Sequence, residues 1–200
     1  MAIALGVTWL VLIVAALLSP RILPGSDPAD TATRQTARVA VLFWALAAAV
    51  LLLRNRSTGR TLWTLACAAY LIHVATAFDR VHGWSHGAAY AHVEEVSGFG
   101  PGIFVSYFFS LLWLVDALWW QVSPRSYEMR SRWFDLAVHA FMAFVVFNGT
   151  IVYETGFIRW AGIVIFAVLG VILAFRVGRR KAGTALESRA TPLRQSGNNC

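Results

Sequence analysis

Six apolar blocks, each about 15–20 residues long, run along this chain, and short polar segments carrying most of the arginines separate them. About 20 predominantly apolar residues are needed for a helix to cross the hydrocarbon core of a bilayer. The blocks lie at residues 2–18, 39–53, 61–78, 103–120, 133–152 and 158–175. Wound as helices, they are apolar all the way round, whereas a helix of a soluble domain keeps a charged face. The sequence therefore predicts an all-α polytopic membrane bundle of about six transmembrane helices. Composition agrees. The chain is 58% hydrophobic and 14% charged, against about 45–50% and about 25% in soluble domains. That excludes a disordered chain and argues against an ordinary soluble enzyme. Two hundred residues leave no room beside six spans for a separate soluble catalytic domain, and whether the chain is an enzyme stays open.

No Lys or Arg precedes the first block. A secretory signal carries a positive segment before its apolar stretch, so residues 2–18 are expected to be a retained first span rather than a cleaved leader. Residues 1–181 then form the transmembrane domain, and 182–200 a disordered, polar, cytoplasmic tail. Pro20, Pro24, Gly25, Asp27 and Pro28 mark 20–38 as an irregular exposed outer loop.

The chain has 17 Lys and Arg against 10 Asp and Glu, a net charge of +7. Its basic residues mark the cytoplasmic ends of spans, where they meet anionic headgroups; no basic folded surface outside the membrane points to nucleic acid. Twelve of the seventeen lie in 54–60, 121–132 and the segment after 175; Arg21, Arg34, Arg38, Arg80 and Arg159 lie on the other side. The positive-inside rule thus expects both termini in the cytoplasm, with the chain in a plasma membrane of the bacterial inner-membrane type. Beyond the lipid bilayer, the expected partners are another membrane protein or a second copy of the chain.

Four of the five histidines fall between 73 and 92. With no proline in this segment, the third span is read as continuing outward as a helix. Asp79, His82, His86, Tyr90 and Glu94 are then spaced as one polar stripe. His82 and His86, at i and i+4, would chelate a metal ion, with Asp79, His92 and Glu94 or Glu95 assisting. Imidazole mixed with carboxylate suits Zn, Fe, Cu or Ni better than Ca or Mg. The plain alternative is an interfacial loop that happens to be rich in histidine, and Gly83 and Gly87 weaken a helix there. Haem is less favoured. His73 and His139 are the two histidines within spans, at about 18 Å and about 9 Å from the cytoplasmic ends of their helices, an awkward offset for a bis-histidine site.

A second group lies within the spans. Asp116 in the fourth and Asp135 and His139 in the fifth sit at similar depths in consecutive antiparallel helices, and Asp135 and His139 are i,i+4 neighbours. Ionisable residues in a membrane turn inward and find partners, so these three are expected to meet. They form either a clamp between helices or part of a proton path. Asn148 lies at a depth comparable to His73, and a hydrogen bond between the two is expected.

Cys67 lies mid-span and Cys200 is the last residue, with no Cys-x-x-Cys motif. A phosphate-binding Gly-rich loop, a Gly-x-Ser-x-Gly elbow and a His-Glu-x-x-His helix are also missing. Three functions follow as expectations: an outward-facing histidine metal or redox site, a proton- or ion-coupled transporter or channel subunit, and an assembly subunit of a membrane complex.

Overall fold

The computed structural model describes the backbone of residues 1–22 and 27–196 and the side chains of 1–22 and 27–179. Among the described residues the structure is helical, with no strand. Six helices are long and apolar enough to cross a membrane, so the chain is an all-α, multi-pass membrane bundle. The spans lie in α1 (Ala2–Ile22), α2 (Pro28–Leu52), α3 (Arg56–Arg80), α5 (Gly102–Val122), α7 (Arg132–Phe147), with the fifth span running on to Val152, and α8 (Gly156–Ser196), whose spanning part is Gly156–Arg179. Two shorter helices, α4 (His86–Ser97) and α6 (Pro124–Glu128), join them, and α7 ends in a π turn over Asn148–Val152. The side chains of the 182–200 tail, and the terminal Cys200, lie outside the described residues.

The irregular loop expected over 20–38 is a helix from Pro28 onward. Residues 23–26 of that loop are not among those described. Asp27 caps α2, its carboxylate accepting from the Ala29 N–H at 3.0 Å, and Pro28 occupies the first turn, where its missing N–H has no partner to lose. Asp30 and Arg34 then pair one turn apart at 2.8 Å, and Arg34 also reaches Glu154 at 3.5 Å. The prolines that read as loop punctuation are a helix start. The second span is longer than its apolar block because its first three turns are polar.

The heart of the bundle is the α2–α3 hairpin, the most extensive helix pairing in the structure. Asn55 in the tight connection caps α3, accepting from the Thr58 N–H at 3.2 Å. Small side chains let the two helices approach: Ala40 and Ala47 on α2, and Ala66 and Ala69 on α3, are all buried. Close approach matters in a bilayer, where lipid tails are as apolar as leucine and helices associate through packing and hydrogen bonds. α5 closes over α3 with large aromatics. Phe109 and Trp113 are about 1% exposed, Trp113 stacks on Tyr70 at 5.5 Å, and Trp63 meets Trp113 at 5.4 Å. α1 lies against α2, and α8 touches only α2 and the π turn among the more extensive contacts. Both present mostly apolar side chains outward, among them Ile3, Leu10, Val164 and Val171, as helices facing lipid do.

An even number of spans returns the chain to the side it started from. A cytoplasm-active reporter should therefore function at either terminus and after Met129, and should be silent when inserted at Gly83. Activity at Gly83 with silence at the termini would invert the orientation expected from the arginine distribution.

Candidate functional site

Two polar groups flank the apolar core. We call the side that carries the termini inner and the other outer.

On the outer side, the continuous helix expected through the histidines does not form. α3 ends at Arg80, and a turn over 81–85 places Gly83 and Trp84 at φ 56° and 57°. A positive φ suits glycine but is uncommon for a residue as bulky as tryptophan. The turn is held by three contacts. The Trp84 N–H donates to the Phe78 carbonyl at 2.9 Å, the Ser85 N–H donates to the His82 carbonyl at 2.9 Å, and the Trp84 and Phe78 rings pack at 5.9 Å. Ser85 then caps α4, accepting from the Ala88 N–H at 3.3 Å. α4 lies along the start of α5. Gly100 permits this, because a Cβ there would stand 2.3 Å from the Tyr90 ring.

The break redistributes the stripe. His82 and His86 now lie on opposite sides of a turn rather than one above the other on a single helix. His86 Nδ1 hydrogen-bonds the Tyr107 hydroxyl at 2.8 Å. His82 instead faces His92 across the turn, with ring centres 5.2 Å apart. Phe78 packs edge-on against His82 at 5.6 Å. Burial, and then the neighbouring His92, lower the His82 pKa, which keeps its imidazole neutral at neutral pH. His86, His92, Asp79 and Glu94 are exposed, and His82 is half-buried. Among the described residues, no group of three or more His, Cys, Asp or Glu stands together as a metal-ligand set. Spacing alone gives His92 only an assisting place, because the His82–His92 pairing exists only once the helix breaks at Gly83.

On the inner side, Asp116, Asp135 and His139 do meet, through a residue that the sequence reading counted only as a marker of orientation. Arg130, in the connection between α6 and α7, folds back into the bundle, with its side chain 5% exposed. It pairs with Asp116 and donates through Nε to Asp135 at 3.1 Å. Its guanidinium also lies 3.7 Å from the centre of the Tyr127 ring. Asp116 accepts in addition from Trp63 Nε1 at 2.9 Å and from the Tyr127 hydroxyl at 3.0 Å. His139 Nε2 lies 3.6 Å from Asp135, and its ring meets Trp63 edge-on at 4.9 Å. Burial lowers the Arg130 pKa, but the hydrogen bonds to Asp116 and Asp135 outweigh it and the net shift is upward. Burial and the adjacent Asp116 raise the Tyr127 pKa. The result is a charged arginine and a neutral tyrosine, both facing a carboxylate that has three donors. The sequence signal was Tyr127 and Arg130, three apart and just ahead of Asp135.

The expected Asn148–His73 hydrogen bond does not form. Asn148 donates to the Phe144 carbonyl of its own helix at 2.7 Å, and His73 Nδ1 bonds the Thr33 carbonyl on α2 at 3.0 Å. Thr33 was unavailable to the sequence reading because it fell within the supposed loop.

Compared with known protein families, with curated proteins and with solved structures, the chain matches none.

Removing one member of a buried ion pair leaves the other charge without a partner, at a cost of about 3–5 kcal/mol. Arg130→Met and Asp116→Asn should each lower the thermal unfolding temperature in detergent sharply. Asp135→Asn should do far less, under about 1 kcal/mol, because the Asp135 side chain is 48% exposed. Equal losses from all three would show that the cluster is not organised around the Arg130–Asp116 pair.

Proposed function

We propose that this multi-pass membrane protein binds a transition-metal ion on its outer face through His82 and His92. The carrying observation is the 5.2 Å separation of the two ring centres. A metal bound at about 2.0–2.1 Å from a ring nitrogen lies about 3.2 Å from the ring centre, so two imidazoles on one tetrahedral ion have centres about 5.2 Å apart. Neutral imidazole is the form that ligates, and the environment of His82 favours that form. Two protein ligands leave two tetrahedral positions to water or to a further ligand. Such a site is labile and open rather than structural. Imidazole donors suit Zn, Cu and Fe, and the last two would make the site redox-capable.

The inner group supports a clamp rather than a proton or ion path. Asp116 is engaged by Trp63, Tyr127 and Arg130, and a fixed guanidinium beside it opposes the passage of cations. His73, the other histidine within the spans, is held by the Thr33 carbonyl.

Calorimetric titration of Zn²⁺ into detergent-purified protein should show one equivalent bound. His82→Ala and His92→Ala should each weaken binding by at least about tenfold, or about 1.4 kcal/mol. His86→Ala should leave it unchanged. Loss in His86→Ala with retention in His92→Ala would restore the i,i+4 chelate and overturn this assignment. Absence of saturable binding in the wild type would remove the metal altogether.

A further inference from the structure

The outer half of the bundle holds a cavity of about 170 Å³ between α2, α3, α5 and the π turn. Its walls mix the rings of Trp44, Tyr70, Phe109 and Trp113 with alanine and valine side chains from α2 and α7, and His73 is also at the surface. We propose that this cavity is a binding site for a membrane-soluble phenol, a single aromatic ring bearing a hydroxyl group. The site is separate from the histidine pair on the outer face.

Size sets the first limit. An apolar cavity of about 150 Å³ accommodates benzene, so this one takes one substituted ring. Depth sets the second. His73 lies seven residues before the outer end of α3 at Arg80, about 10 Å down the helix, and the ligand must therefore reach the site through lipid.

The polar atoms set the third. Trp113 is 1% exposed, and its indole N–H has no hydrogen-bond partner among the described residues. A buried donor without a partner costs about 1–3 kcal/mol, which a ligand acceptor would relieve. The Thr33 carbonyl can only accept, so His73 Nδ1 carries a proton, and Nε2 of the neutral ring offers a lone pair. The two hydroxyls in the lining each have a protein partner. Thr150 donates to the Val146 carbonyl at 2.7 Å, and the Tyr70 and Ser110 hydroxyls share a hydrogen bond of 3.2 Å. The Trp113 N–H is the buried side-chain donor of the lining left without a partner, and His73 Nε2 is an acceptor in the same lining. Water filling the volume would mean about five molecules, each wanting about two to four partners, far more than these walls supply. A phenol hydroxyl accepts from Trp113, donates to His73, and leaves its ring to pack on aromatic walls.

The backbone is irregular there as well. The π turn contributes Gly149 and Thr150 to the lining. Insertions of this kind occur frequently at functional sites.

The probes are 4-(trifluoromethyl)phenol and, as its hydroxyl-free control, (trifluoromethyl)benzene, followed by fluorine NMR with the full-length protein in detergent. The phenol should show a saturable bound population near one equivalent, several-fold tighter than the control. Trp113→Phe should weaken the phenol by about three- to tenfold and leave the control unaffected. Val146→Phe, which enlarges a buried side chain of the lining, should weaken both. Partition into detergent without saturation, equal affinity for the two probes, or binding unchanged in Trp113→Phe would each overturn the proposal. The probe comparison and Trp113→Phe decide it even if Val146→Phe does not fold.

Discussion

A guanidinium withdrawn from water must be met by carboxylates and hydrogen-bond acceptors, or it will not stay withdrawn. Arg130 is met by Asp116 and Asp135, and the inner half of the bundle is organised around that pairing. Asp116 brings α5, Trp63 brings α3, Tyr127 brings the short α6, and Asp135 and His139 bring α7. Four elements converge on one buried charge. The connection between α5 and α7 is drawn inward as a result, and Tyr127 is packed face to face on Trp120 at 4.5 Å. Among lipid-facing helices, where apolar burial gives little preference for one neighbour over another, such a polar cluster sets which helices meet and in what register.

The outer half has no such anchor. Its ion pairs, Arg34 with Asp30 and with Glu154, are at the surface, and its other side-chain hydrogen bonds are single: a histidine to a carbonyl, a histidine to a tyrosine, hydroxyls to their own helices. Its backbone departs from regular helix twice, at the turn over 81–85 and at the π turn. The cavity and the facing histidines both lie in this half. An inner end locked by charge and an outer end with unused donors and acceptors describe a protein whose binding capacity faces one side. Neither proposed site requires the inner cluster to move.

The spans themselves were legible, since each apolar block falls within a spanning helix of the structure, to within one residue at the block's ends. Asp116, Asp135 and His139 were legible as a group because depth and antiparallel order follow from span limits alone. Arg130 was not. Its position in a short basic segment is that of every arginine marking a cytoplasmic end, and nothing local distinguishes the one that folds inward. The start of α2 was misread because proline and glycine density outweighed the capping pair Asp27-Pro28. That error hid Thr33, the partner of His73. The histidine segment was read as one helix because neither proline nor a run of glycines breaks it. The break depends on Trp84 accepting a left-handed backbone, which its packing on Phe78 supports.

The sequence by itself determined that, among the described residues, this chain carries six helices long and apolar enough to cross a membrane. Length and hydropathy are properties of each segment alone, and a bilayer offers an apolar segment few other solutions. It also determined which ionisable residues had to find partners. The partners were decided by tertiary structure: Arg130 with Asp116, His82 with His92, His73 with Thr33. Each pair joins residues from different elements, and its geometry depends on where a helix stops, turns or folds back, which no periodicity within a single segment encodes.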